Sequence, residues 1–90
     1  MSRLWLRTLL VTGLPDEVEP VAERHREHLR GLIRAGRLRL AGELEHGDGF
    51  VEIFEAVDRL EADSIGRSSP LIEEGLAAWT LREWFETHRG

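Results

Sequence analysis

The segment from Leu4 to Thr12 limits the fold more than any other. In an extended chain Leu4, Leu6 and Leu10 fall on one side, and Trp5, Leu9 and Val11 on the other. A strand that is apolar on both faces belongs in the middle of a sheet, covered from both sides. Each of the two faces therefore needs a cover. The chain has 90 residues, which predicts one domain over residues 1–90 with a single core.

Gly13-Leu14-Pro15-Asp16 breaks the strand, and a helical period follows. Val18, Val21, Ala22, Leu29, Leu32 and Ile33 form one stripe at helical spacing. His25 lies near the centre of this stripe and His28 toward one edge. Two helix starts fit: Asp16, with Glu17 and Glu19 at the positive end, or a start nearer Glu19 with Pro20 at the first position. The helix is expected to run to about Ala35, with Gly36 just past its end.

Leu38, Leu40, Gly42 and Leu44 alternate with charged and small residues, which predicts a half-buried second strand. His46-Gly47-Asp48-Gly49 has turn chemistry, and Asp-Gly marks a hairpin. Phe50 to Glu55 reads as the third strand, with Val51 and Ile53 opposed to Phe50 and Phe54. A second helix with a thin apolar side (Leu60, Ala62, Ile65) is expected over Asp58 to Arg67. Ser68-Ser69-Pro70 ends it, and Leu71 to Glu74 can add one further turn. Leu76 to Phe85 is the last strand, with Trp79, Leu81 and Phe85 on one face and Thr80, Arg82 and Trp84 on the other.

This order, β-α-β-β-α-β, is that of an α+β ferredoxin-like sandwich. Two helices cover only one face of four strands. The other is expected to carry Trp5, Leu9, Val11, Phe50 and Phe54, and a second sheet is its natural cover. A homodimer or higher homo-oligomer through the sheet face follows. Composition points the same way: the chain has no cysteine, so neither disulfides nor a cysteine-based zinc site can supplement a small core.

With 12 basic and 17 acidic residues, the net charge of −5 argues against nucleic acid as a partner. No stretch is long and apolar enough to span a membrane. Arg7 interrupts the apolar start, and Leu9-Leu10-Val11 is too short for the core of a secretion signal. A cytoplasmic location is the default expectation.

Arg24-His25 in the first helix, then Leu29, Leu32, Gly36, Leu38 and Ala41-Gly42, form a diffuse pattern. Glu55-Ala56, Ser69-Pro70, Glu74-Gly75-Leu76 and Thr80-Leu81-Arg82-Glu83-Trp84 continue it. From the first strand to about Trp84, this pattern resembles the YCII-related family of the dimeric α+β barrel superfamily. The resemblance implies a paired-sheet dimer and a small pocket between the first helix and the sheet. It also implies a His and Asp pair for acid–base chemistry; some members act in the breakdown of chlorinated aromatic compounds. His25 matches the family histidine by its distance to Ala41-Gly42. The family aspartate precedes a proline, and here Ser69 stands in that place before Pro70. A serine hydroxyl supplies no negative charge at neutral pH, but it can hydrogen-bond a histidine or a substrate. Glu43 stands where the family often has proline.

Two readings fit His25: a satisfied core histidine, or a pocket-lining acid–base group. With Ser69 as its polar partner, the second makes the chain a small-molecule enzyme or binder. It would use isomerase- or lyase-like chemistry on a small cyclic or aromatic metabolite. Loss of the family aspartate supports the alternative, a non-catalytic ligand-binding or assembly module. A haem-binding or monooxygenase-like relative on the same barrel is a third reading. His28 and Glu43 are possible pocket residues, with His28 otherwise a rim histidine and Glu43 an edge-strand charge. Glu43, Glu73 and Glu74 are the carboxylates that could replace the aspartate, and Ser69 can simply cap the turn that begins at Pro70. His25 and His28 are a helical turn apart, but no third ligand accompanies them, so no metal or cofactor is expected. His46 and His88 are expected to be exposed, and Trp79 and Trp84 to serve the core or an interface.

Overall fold

The computed structural model describes residues 2–90. Its elements are β1 (Arg3–Val11), α1 (Pro15–Arg34), β2 (Leu38–Glu43), β3 (Gly49–Ala56), α2 (Arg59–Gly66), α3 (Pro70–Glu73) and β4 (Ala77–Trp84). The four strands form one antiparallel sheet in the order β2-β3-β1-β4. β1 is central, as its two apolar faces require. The architecture is the α+β ferredoxin-like fold, with α3 as the further turn after α2.

α1 starts earlier than either expected position. Pro15 takes the first turn, where its missing N–H costs nothing, and Pro20 lies inside the helix. At the other end Arg37 N–H donates to Leu32 O and Gly36 N–H to Ile33 O, and Gly36 has φ 71°. That pairing of the last carbonyls needs a left-handed residue, which glycine supplies. Asp58 caps α2 through Glu61 N–H, and Ser69 caps α3 through Leu71 N–H.

The two sheet faces are the reverse of the expectation. Trp5, Leu9, Phe50 and Phe54 lie under the helices, at most 4% exposed, and Val11 packs against the same core. They form facing pairs across β1 and β3: Trp5 with Phe54 and Leu9 with Phe50. The open face instead carries Leu4, Leu6, Leu10, Leu40, Val51 and Ile53, and Leu10 and Leu40 are 50% and 64% exposed. The alternation is as read, but it cannot say which apolar side the helices cover. Under the helices Trp5 and Phe54 pack with Ala56 and Ala62, and Leu9 and Phe50 with Val18, Val21 and Ala22.

β2 also departs from simple alternation. A bulge between Leu38 and Leu40 turns Leu38 toward the helices, opposite Phe54, and Leu40 to the open face, opposite Ile53. The connection to β3 is a 3-10 turn over Glu45–Gly47, with His46 at φ 62°, rather than a two-residue hairpin. Gly49 is required on packing grounds, since a Cβ there would lie 2.0 Å from Leu9 O. Phe85 lies beyond β4 and is exposed.

Candidate functional site

The inward stripe of α1 buries Val18, Val21, Ala22 and His25. The histidine is therefore held on a helix, over the middle of the sheet, where water cannot solvate it. Three other polar side chains, Arg7, Glu52 and Ser69, share its complete burial at 0% exposure. They come from β1, β3 and the start of α3, and they form one continuous chain with His25.

His25 Nδ1 meets Ser69 Oγ at 2.7 Å, and His25 Nε2 meets Glu52 Oε2 at 2.6 Å. Arg7 Nε donates to the other carboxylate oxygen, Glu52 Oε1, at 2.6 Å. Arg7 Nη1 donates to Gly66 O at 2.9 Å and faces His28 Nε2 at 3.3 Å. Arg7 and Glu52 are a facing pair in the β1–β3 register, so the sheet itself sets their contact.

These contacts fix the proton positions. An ionised carboxylate only accepts, so His25 carries its hydrogen on Nε2. In the neutral ring Nδ1 is then bare and accepts the Ser69 hydroxyl proton, while Ser69 Oγ accepts from Leu71 N–H at 3.2 Å. Arginine only donates, so His28 accepts on Nε2 and holds its own hydrogen on Nδ1.

Burial by itself would raise the Glu52 carboxyl. The His25 hydrogen bond and the Arg7 charge outweigh it, and the group stays below the ordinary carboxylate range. His28 is pushed down to about 4, first by burial and then by the Arg7 charge. It is neutral at neutral pH and half-buried, not a solvated rim residue.

The structure brings His25 and Ser69 into contact. Ser69 caps α3 and bonds the histidine at once, so the two roles weighed for it coexist. Neither Glu43 nor Glu74 supplies the carboxylate. Glu43, at the end of β2, makes two 3.1 Å bonds with Arg26, and Glu74 faces Arg24. Glu52 was missed, together with Arg7. Both interrupt an apolar strand face: Glu52 sits between Phe50 and Phe54, and Arg7 between Trp5 and Leu9. A charge there is costly to bury unless it is paired.

A cleft of about 380 Å³ opens between α1 and β2, lined by Leu29, Ala41, Gly42, Glu43 and Phe50. The Phe50 ring lies 4.4 Å from the His25 ring, centroid to centroid. Among the described residues no cluster of three His, Cys, Asp or Glu side chains could hold a metal ion, and no helix is long and apolar enough to cross a membrane.

No family model matches the chain, and no curated protein matches it in sequence. Solved structures do. One is the 5-chloro-2-hydroxyhydroquinone dehydrochlorinase TftG from Burkholderia phenoliruptrix AC1100, in complex with 2,5-dihydroxybenzoquinone. The likeness has a TM-score of 0.72 at 19% identity, over 93% of this chain and 95% of that one. Another is SnoaB, a cofactor-independent oxygenase from Streptomyces nogalater, with a TM-score of 0.53 at 15% identity, over 98% of this chain and 95% of that one. At these identities the likeness is one of fold. The chain shares the α+β ferredoxin-like fold of these two structures.

Proposed function

We propose that the chain is a small-molecule enzyme of YCII type, which performs acid–base chemistry on a small cyclic or aromatic metabolite through His25. The observation that carries this reading is the buried chain Ser69–His25–Glu52–Arg7 beside a cleft. Glu52 takes the place left by the family aspartate, reaching His25 from β3 instead of from the turn before α3. With Nε2–H held by the carboxylate, Nδ1 is the basic nitrogen. Ser69 relays the proton: its hydroxyl passes its own hydrogen to Nδ1 as its oxygen takes one from substrate, and Glu52 stabilises the imidazolium that forms, as a carboxylate behind a histidine does in other acid–base sites. The single domain works as a homodimer, with the leucine-rich open face of the sheet against a second copy.

The two solved enzymes of this fold act on small molecules, and the names they carry supply the probes. Binding of 2,5-dihydroxybenzoquinone and chloride release from 5-chloro-2-hydroxyhydroquinone are measured for the native chain and for His25→Gln. The variant is expected to lose turnover while its fold, followed by circular dichroism, persists. Undiminished turnover would remove His25 from the chemistry.

One observation favours a second reading, a non-catalytic ligand-binding or assembly module: both nitrogens of His25 are already satisfied and its ring is wholly buried. In that case His25→Gln lowers stability and leaves ligand affinity unchanged.

A further inference from the structure

His25 has no exposed surface, so any ligand that meets it needs a way in. Phe50 touches both the His25 ring and the cleft beside it. Its ring lines the cleft between α1 and β2 on one side and lies 4.4 Å from the His25 ring on the other, tilted by 60°. The outer side of Phe50 is held by Arg26, whose guanidinium carbon is 5.9 Å from the ring centroid. Arg26 in turn ties α1 to β2 through its two bonds to Glu43, with Glu19 and Glu23 as further partners.

We propose that Phe50 is the gate between the cleft and His25, and that the Arg26–Glu43 pair is its latch. When the ring turns aside, the cleft becomes continuous with the His25–Glu52 pair. The movement proposed is a rotation of the Phe50 ring about its side-chain torsions. The latch is suited to opening because it is an ion pair in contact with solvent: the side chains of Arg26 and Glu43 are 28% and 47% exposed, and such pairs are weak. This inference deepens the proposed acid–base site, but its test reads access to the ring rather than turnover, so the two fail separately.

The test is carbethoxylation of the full chain by diethyl pyrocarbonate, with the rate at His25 read by peptide mass spectrometry and exposed His46 as internal reference. Glu43→Gln, a surface change, is expected to raise the His25 rate about two- to fivefold, the scale of one half-exposed ion pair. Phe50→Ala is expected to raise it by more than about tenfold, since closing is then no longer possible. Val18→Ala, which loosens the same core at the start of α1, is expected to leave it unchanged. An unchanged His25 rate in Glu43→Gln overturns the latch, and it decides the matter alone if Phe50→Ala does not fold. A rise in Val18→Ala as large as that in Phe50→Ala overturns the gate, because general loosening would then explain both.

Discussion

Replacing Glu52 by Gln keeps the shape of the side chain and removes its charge, and the structure dictates two consequences. The first is energetic. Arg7 and Glu52 are both fully buried, and their contact is 2.6 Å. Removing one partner of such a pair leaves a buried charge uncompensated, at a cost of about 3–5 kcal/mol. For a chain of this size each kcal/mol moves Tm by about 4–8 °C, so a fall of some tens of degrees is expected in calorimetry. The second is a change of tautomer. Glu52 accepts from two donors, Arg7 Nε–H and His25 Nε2–H, whereas an amide has one oxygen to offer. The oxygen goes to Arg7, the stronger donor, and the amide N–H₂ faces His25 Nε2. His25 then moves its hydrogen to Nδ1 and donates to Ser69 Oγ, a switch that ¹⁵N chemical shifts of the ring report directly. The double variant Arg7→Met with Glu52→Gln removes the stranded charge and is expected to recover most of the loss. A single-variant cost below about 1 kcal/mol, the scale of a surface pair, would refute the reasoning. So would a double variant no more stable than the single one.

Three further outcomes are expected. His28 has a folded pKa of about 4, below its ordinary value, so between these the unfolded chain binds a proton that the folded chain does not. Stability is full above about pH 6.5 and declines by about 1–2 kcal/mol as pH falls toward 4, after allowance for solvent screening; His28→Leu should flatten this slope in urea titrations. Ser69→Ala removes both the α3 cap and the partner of His25 Nδ1, and should lower the unfolding free energy by about 1–3 kcal/mol. The double variant Leu10→Glu with Leu40→Glu charges the exposed, open face of the sheet without touching the core; sedimentation should show a dimer for the native chain and monomers for the variant, and an unchanged state would place any dimer contact elsewhere.

The order of elements was legible because strands and helices impose different periods on their apolar residues, and β1 declared itself central by being apolar twice over. Which side of β1 the helices cover was not legible from alternation, since Leu4, Leu6 and Leu10 are as apolar as Trp5, Leu9 and Val11. In the structure the face of Trp5, Leu9 and Val11 lies under the helices and that of Leu4, Leu6 and Leu10 is open. The bulge at Leu38/Leu40 was hidden for a related reason, because an inserted residue leaves two leucines at the spacing of an unbroken strand.

The site divides in the same manner. His25 was visible as a polar residue in an apolar stripe, and Ser69 through the resemblance. The carboxylates weighed as the partner of His25 were Glu73 and Glu74, close to Ser69 in sequence, and Glu43, a strand carboxylate where the family often has proline. The partner instead lay on β3, where the same test that singled out His25 would have found it. Glu52 interrupts the Phe50–Phe54 face as His25 interrupts the helix stripe, and Arg7 interrupts Trp5–Leu9. Charges of opposite sign on the apolar faces of two neighbouring strands can be buried only if they face each other, and the register places Arg7 opposite Glu52. Three polar interruptions in three apolar faces thus point to one buried cluster. Its location follows from the need to pair charges as much as from any family likeness.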